Sequence, residues 1–298
     1  MSDLTPLADS YTYMLLDLDG CIYVGEEAVP GAAEAVAALR AAGKGVAFVT
    51  NDARRSGEEY VRKLWGLGLQ ASLEEVVTVG GAIQHVLAET ERWRSAYVVG
   101  AAVIHRHVLD AGLKVVNGLD VPGPDVVVVA AHDRFSYDEL RGAVQAVLAG
   151  AELVCAGHDP TFPMPDGPWP GTGAVVAAVE AATGARALNL GKPAAQPFRT
   201  ALERLGAAVP APLPPPSAAE RLAAPAGAAP PGHGVRQAPA ALVVGDRLDS
   251  DLAGADAAGL DAAIVLTGAT SAAEAHAATD PAPVAVAESL AALVLGGA

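Results

Sequence analysis

The stretch MLLDLDGCIYVG, residues 14–25, governs how the rest of the chain is read. Met14, Leu15 and Leu16 form an apolar run of the kind that makes a short buried strand. Two aspartates two apart, Asp17 and Asp19, follow, and then Gly20. Strand side chains have a period of two, so extended geometry carried past Leu16 turns both carboxylates the same way. In an open α/β sheet, ligands bind at the carboxyl ends of the strands, and a glycine lets the chain leave that edge sharply. Two acids there suit a metal, or a nucleophile with a partner acid. A solvated turn is the plain alternative, because Asp is common where strands end.

Working outward, residues 31–43 (GAAEAVAALRAAG) read as an alanine-rich helix stopped at Gly43. Residues 45–50 (GVAFVT) read as a second buried strand, ending in Thr50-Asn51-Asp52. A helix is expected over 56–66, with Ser56 as N-cap and Glu58 and Glu59 in its first turn, then a strand over 76–79. These spacings predict a parallel sheet with right-handed crossovers. A second alternation follows: helix 81–91, strand 96–100, helix 101–111, strands 113–116 and 125–130, helix 136–149 and strand 152–157. That is enough for a separate α/β unit of about 100 residues. Residues 158–173 (HDPTFPMPDGPWPGTG) are rich in Pro and Gly and are expected to be a surface loop of fixed shape. A helix over 173–184 stops at Gly184. The last third returns to the first pattern, with a short strand over 188–193 running into a loop that holds Lys192, and a helix over 195–206. ALVVGD (241–246) is another apolar strand ending in an acid; a helix over 249–260 and a strand over 261–268 follow. Residues at about 208–239 are dense in Pro, Ala and Gly, and a disordered insertion is expected there.

With 298 residues the chain has room for one large domain or two modest ones. Apolar residues make up 52%, ample for a core, while aromatics are 4%, so helices should pack closely on small side chains. No apolar run approaches a membrane span. The opening MSDLTPLADS lacks the basic flank and apolar region of a secretory signal. Cys21 and Cys155 make neither a disulfide framework nor a zinc site, and a cytoplasmic location is expected. The net charge of −15 disfavours nucleic acid and anionic membrane as partners. A phosphate-bearing substrate would need a local positive patch or a metal.

Four strand ends carry polar residues of suitable kinds: Asp17 with Asp19, Thr50 with Asn51, Lys192, and Asp246 with Asp251. Each alone has an ordinary explanation, in turn chemistry, a solvated lysine, or acids favoured at a helix N-terminus. Jointly they require four coincidences at one sheet edge. In order and wording, DLDGCIYVGE (17–26), FVTNDARRS (48–56), GKP (191–193) and VVGDRLDSDLAGADAAGL (243–260) resemble the haloacid-dehalogenase-like hydrolase superfamily. The nearer likeness is to its branch of bacterial NagD-like phosphatases and mammalian phosphoglycolate and pyridoxal-phosphate phosphatases. AGHDPTFP (156–163) and PGTGAVVAAVEAATG (170–184) add resemblance to the cap of that branch; through GDRLDSD (245–251), AGADAAGL (253–260) and DPTFP (159–163) the wording looks nearest to the actinobacterial glycerol-3-phosphate phosphatases. The likeness covers nearly the whole chain except the proline-rich insertion.

The resemblance implies a fold: a Rossmann-like α/β parallel-sheet core, residues 1–79 and 188–298, with an inserted α/β cap domain over 80–187. It also implies roles. Asp17 would attack phosphorus and Asp19 would act as general acid, then base. Thr50 and Lys192 would hold phosphoryl oxygens, with the backbone around Asn51 and Asp52 assisting. Asp17, the carbonyl of Asp19, and Asp246 would bind magnesium, with Asp251 behind them. Elementary chemistry agrees, since oxygen ligands without His or Cys favour a hard cation. Two unit charges about 4 Å apart interact by about 4 kcal/mol at an effective dielectric of about 20. Several carboxylates and a phosphate dianion therefore need a divalent cation and Lys192 between them.

Some residues depart from the family's pattern. Asp52 stands where Asn is frequent and Arg54 where Ser is frequent; Arg54 either adds positive charge near the phosphate loop or points to solvent. His158 replaces a common Asn and either touches substrate or caps a turn. His158, Asp159 and Thr161 are candidates to hydrogen-bond substrate hydroxyls, the alternative being that the loop only shapes the cap and the enzyme is promiscuous. His105 and His107 are expected at the cap surface, and Cys21 as a small buried filler. The expected function is a magnesium-dependent phosphatase acting on a small phosphorylated metabolite, glycerol 3-phosphate or phosphoglycolate first. A phosphotransferase or phosphomutase, and a non-catalytic sensor of phosphorylated ligands, are the rivals. A homodimer through the cap is left open.

Overall fold

The strand that carries Asp17 lies at the middle of a six-stranded parallel sheet in the computed structural model, which describes residues 4–118, 123–130, 132–162, 169–207 and 240–296. The expected insertion at about 208–239 lies outside the described residues. Numbering strands along the chain, the sheet runs in space β15 (Ala285–Ala287), β14 (Asp261–Val265), β13 (Ala241–Gly245), β1 (Tyr13–Leu16), β4 (Gly45–Thr50) and β5 (Val76–Thr78). Strands buried on both faces read as continuous apolar runs, as YMLL, ALVVG and GVAFVT do. Alternate residues serve opposite cores. Met14, Leu16, Phe48 and Val244 pack with Val36, Leu39, Tyr60 and Leu64 on one face. Leu15, Ala47, Val49 and Val243 pack with Phe198, Ala201 and Leu252 on the other.

A second parallel sheet is inserted after β5. Its order is β12 (Leu188–Asn189), β9 (Glu152–Cys155), β8 (Val126–Val129), β6 (Ser95–Val99) and β7 (Lys114–Val115). The helices Val79–Glu89 and Ala102–Asp110 cover one face, and Tyr137–Leu148 and Thr172–Thr183 the other. The architecture is thus the expected one, a Rossmann-like core with an α/β cap inserted in it. The β2 (Tyr23–Val24) and β3 (Glu27–Ala28) hairpin follows Asp19 directly.

Three local expectations need correction. Leu188–Asn189, expected to open the second part of the core, pairs with β9 in the second sheet. Leu190 then packs with Val154 and Ala156; an apolar run does not say which sheet has a free edge for it. The proline-rich loop is not wholly irregular, because β10 (Thr161–Phe162) pairs antiparallel with β11 (Trp169–Pro170). Glycine permits that fold: a Cβ at Gly171 would lie 2.4 Å from the carbonyl oxygen of Asp159, and one at Gly173 2.2 Å from that of His158. The expected helix at 249–260 opens as a π turn, Leu248–Leu252, before Ala253–Ala258 continues as α-helix. Among the described residues, no helix is long and apolar enough to cross a membrane.

Candidate active site

Asp17 leaves β1 with its N–H still bonded to the Val244 carbonyl at 2.8 Å, so its position is fixed by the β1–β13 ladder. Asp246 follows β13 directly. Asp251 is brought inward by the π turn, where the N–H of Leu252 reaches the carbonyl of Arg247 five residues back at 3.2 Å. One carboxylate oxygen from each of Asp17, Asp246 and Asp251 lies within 4.8 Å of the other two, and all three residues are buried. Lys192, only 4% exposed, enters this group from the loop after β12. Its Nζ donates to Asp17 Oδ1, to Asp251 Oδ1 at 2.7 Å and to the Val49 carbonyl at 3.3 Å.

The acids differ in what else they hold. Asp251 Oδ2 accepts from the Arg247 N–H at 3.1 Å, so both of its oxygens are engaged. Asp246 Oδ2 accepts from the Ala269 N–H at 2.6 Å. Asp246 Oδ1 is buried and has no hydrogen-bond partner among the described residues. The main chain closes on this carboxylate from two sides. A Cβ at Gly268 would lie 2.0 Å from Asp246 Oδ2, and one at Gly20, where φ is +80°, would lie 2.5 Å from it.

Three carboxylates face one ammonium here. Burial pushes Asp17 well above the usual carboxylate range; Lys192 opposes this, and Asp251 and Asp246 add to it. Asp246 is raised by burial first and then by Asp251, against the Ala269 N–H and Lys192. Burial works against the charge on Lys192, yet Asp17 and Asp251 outweigh it and hold the ammonium protonated. The cluster has too little positive charge for its acids, all its free donors are oxygens, and one buried oxygen lacks a partner. That donor set fits a hard divalent cation.

Asp19 lies outside the three-acid cluster and is exposed, in a turn bridged to Tyr23. The protein packed round its carboxyl still raises it, against the nearby ammonium of Lys63. Lys63 Nζ itself donates to the Gly25 carbonyl at 2.7 Å and sits 3.7 Å over the Tyr23 ring, tying the β2–β3 hairpin to the Gly57–Gly66 helix.

Thr50, the last residue of β4, is buried, its hydroxyl accepting from the Asp52 N–H in the loop that follows at 3.1 Å. The Asn51 side chain faces Lys192: Nδ2 donates to the Lys192 carbonyl at 2.9 Å, and Oδ1 accepts from the Lys192 N–H at 2.7 Å. Asp52 turns its carboxylate to the Arg54 N–H and Nε, both at 2.9 Å, and to the Tyr60 hydroxyl at 2.6 Å. Burial works to raise Asp52, but Arg54 and Tyr60 hold it below the usual range. Arg54 is exposed while bound to Asp52.

In the cap loop His158 and Thr161 are exposed and Asp159 is half-buried. A Cβ at Gly157 would lie 3.0 Å from Asp159 Oδ2 and 3.8 Å from Asn51 Nδ2, so this part of the cap abuts the loop after β4. His158 Nε2 is 3.9 Å from the Cys155 thiol, which burial pushes up to about 12. Cys21 is buried, as expected of a filler. His107, expected at the surface, is half-buried: Nδ1 pairs with Gln84 Oε1 at 2.7 Å. Its ring edge lies where a Cβ on Gly80 would be, 2.5 Å from Cδ2. His105 is half-buried too.

Sequence reasoning missed the main-chain groups that hold the acids and the lysine, at Val49, Arg247 and Ala269. One signal was present, a glycine at Gly268 just beyond the apolar strand β14, where a close backbone approach is needed.

A Rossmann-like sheet with acids at its central strand ends, a buried lysine among them and an α/β cap above defines a class of capped α/β enzymes. The sequence profile described as haloacid dehalogenase-like hydrolase matches residues 14–114, and one described as HAD-hydrolase-like matches 189–293. The chain is 34% identical over 267 residues to a D-glycerol 3-phosphate phosphatase of Mycobacterium tuberculosis, covering 89% of this chain and 66% of that one, just under two thirds of its length. It is 31% identical over 196 residues to an acid sugar phosphatase of Staphylococcus aureus, covering 66% of this chain and 74% of the relative. The crystal structure of a glycerol phosphate phosphatase from Mycobacterium tuberculosis in complex with magnesium superposes with a TM-score of 0.79 at 31% identity, covering 98% of this chain and 78% of that one. The chain belongs to the haloacid dehalogenase-like hydrolases.

Proposed function

We propose that the protein is a phosphatase of small phosphomonoesters that works with magnesium through an aspartyl phosphate on Asp17. The observation that carries this reading is the buried Asp17 carboxylate held by Lys192 beside Asp246, whose Oδ1 has no hydrogen-bond partner among the described residues. Asp17, Asp246 and the carbonyl of Asp19 would hold the ion; Asp251, with both oxygens engaged, would steady Lys192 behind them. When bound, the ion supplies positive charge that offsets the acids and draws the phosphoryl oxygens in.

The chain's own residues then divide the work. An Asp17 oxygen forms a bond to phosphorus as the ester oxygen leaves, and Asp19 gives that oxygen its proton. Asp19 next takes a proton from water as the water oxygen bonds to phosphorus and the Asp17–phosphorus bond breaks. Lys192 and the Thr50 hydroxyl hold the phosphoryl oxygens, assisted by the main chain at Asn51 and Asp52. Support for the substrate class comes from the relatives named as phosphatases of glycerol 3-phosphate and of sugars. Glycerol 3-phosphate is the first choice, with phosphoglycolate next. The unit built on the second sheet, residues 79–189, would act as the cap that selects the leaving group, with His158, Asp159 and Thr161 nearest to it. The charge of −15 and two free thiols support a cytoplasmic setting without nucleic-acid or membrane partners.

The test is phosphate release over a panel of triose, polyol, sugar, nucleotide and pyridoxal phosphates, with magnesium and again in excess chelator. Release that needs magnesium and favours the small polyol and acid esters is expected. Full activity in chelator would contradict the role given to Asp246, and phosphate passed to another alcohol would make the enzyme a transferase.

A further inference from the structure

Lys192 is reached from two sides by the end of β4. Its ammonium donates to the Val49 carbonyl at 3.3 Å, while its own peptide N–H and C=O are both bonded to the Asn51 side chain at 2.7 and 2.9 Å. The partners are 141 residues apart in sequence. Between the two contact points, Val49 in β4 and Asn51 just after it, stands Thr50. We propose that Asn51 is a positioning residue: its amide side chain, rather than binding phosphate, sets Lys192 in register with the Thr50 hydroxyl.

A side-chain amide has a donor and an acceptor at the spacing of a peptide group. Asn51 therefore pairs with Lys192 as a neighbouring strand would, at a place where no strand runs. Such pairing fixes the main chain of Lys192, and the contacts at Asp17, Asp251 and Val49 fix its ammonium. Both ends of the side chain are then held relative to β4. Gly191 makes the approach feasible, since a Cβ there would lie 2.0 Å from the Ala156 carbonyl oxygen and 2.8 Å from Asn51 Oδ1. Oxygens of a phosphoryl group bridging Thr50 and Lys192 would meet two donors whose separation Asn51 sets. Misplacing a group by about 1 Å can cost about a hundredfold in rate, so the grip matters although it touches no substrate.

The inference rests on the phosphatase reading, and two readouts separate the failures. The first is hydrogen exchange at the Lys192 amide, which needs no ligand. Asn51→Ala should expose that N–H and speed its exchange at least about tenfold, while Asn51→Asp, which keeps an acceptor, should speed it less. The second is calorimetric binding of inorganic phosphate with magnesium present. Asn51→Ala should weaken it roughly tenfold, yet change it less than about twofold in the Lys192→Met background, because its effect passes through Lys192. Equal weakening in both backgrounds would mean that Asn51 meets phosphate itself, and would overturn the proposal. Unchanged exchange at Lys192 would overturn it as well. Wild-type protein that binds no phosphate would instead overturn the phosphatase reading, with the grip on Lys192 still decided by exchange.

Discussion

Asp246 illustrates how much of a site is made by residues that bring no functional group. Its side chain is held by an N–H from Ala269, and Gly20 and Gly268 let the backbone close round it. Gly268→Ala would set a methyl 2.0 Å from Asp246 Oδ2, a distance at which something must shift. The expected outcome is turnover lower by about a hundredfold together with weaker magnesium affinity, so that more metal is needed for half-maximal rate, read by titrating phosphate release with the metal. Asp17→Asn tests the proposed nucleophile differently. Turnover should fall below about one thousandth of wild type. The metal-free protein should unfold at the same or a higher temperature, because the charged carboxylate is the disfavoured form in that acidic cluster. A variant that turns over normally, or unfolds well below wild type, would contradict this. The acids and Lys192 were legible in the sequence because few residue types do their chemistry. The N–H and C=O groups that aim them were not, since every residue carries the same ones.

At the scale of elements, periodic apolar runs made most strands and helices readable to within a residue or two, as with GVAFVT and the Ser56-capped helix. Legibility failed where a tertiary neighbour decides the outcome. Leu188–Asn189 is apolar enough for either sheet and joins the one with a free edge at β9. The turn at Leu248–Leu252 is π rather than α where Asp251 faces Lys192. His107 looked like a surface residue because its partner, Gly80, shows its importance only by lacking a side chain. Burial holds the His107 imidazole below its ordinary value, and Arg204 and Arg106 act in the same sense; Asp110 and Glu58 oppose them. A histidine that resists protonation in the fold gains a proton on unfolding. Its stabilising effect is therefore complete above the unfolded value of about 6.5 and is lost as pH falls below it. Thermal unfolding from pH 7.5 to pH 5 should show wild type losing stability faster than His107→Gln. Parallel curves for the two proteins would refute the assignment. Comparing the two isolates this residue from the acids of the cluster, which titrate in both.

The whole molecule places the two sheets so that the chain crosses from one to the other after Thr78 and returns through Asn189 and Lys192. The alternation of strands and helices made that arrangement legible, and the family resemblance supplied which unit is inserted in which. Neither gave the contact between the two units, because it joins residues far apart: Ala156 and Gly157 of the cap lie against Gly191 and Asn51 of the core. The proposed phosphoryl site is thus next to cap main chain, and whatever the phosphate is attached to must fit beside that loop. On the proposed reading the core groups would grip only the phosphoryl group, which would leave the choice of leaving group to the cap, with the β10–β11 ladder and Asp159 as its candidate elements. Gly157 of the cap lies close to Asn51, so a bulky leaving group such as a phosphorylated loop of a protein would meet the cap main chain sooner than a short polyol or acid ester would. The net charge of −15 adds a general penalty for large acidic substrates. We therefore expect kcat/KM for glycerol 3-phosphate to exceed that for a phosphoserine peptide by at least about a hundredfold, equivalent to roughly 2.7 kcal/mol. Asp159→Ala should narrow the spread among small esters while leaving the peptide poor, since one lost hydroxyl partner alters discrimination but does not open the cap. Both are measured by initial rates of phosphate release at saturating magnesium. Comparable rates on peptide and polyol esters would mean that the cap does not gate this site.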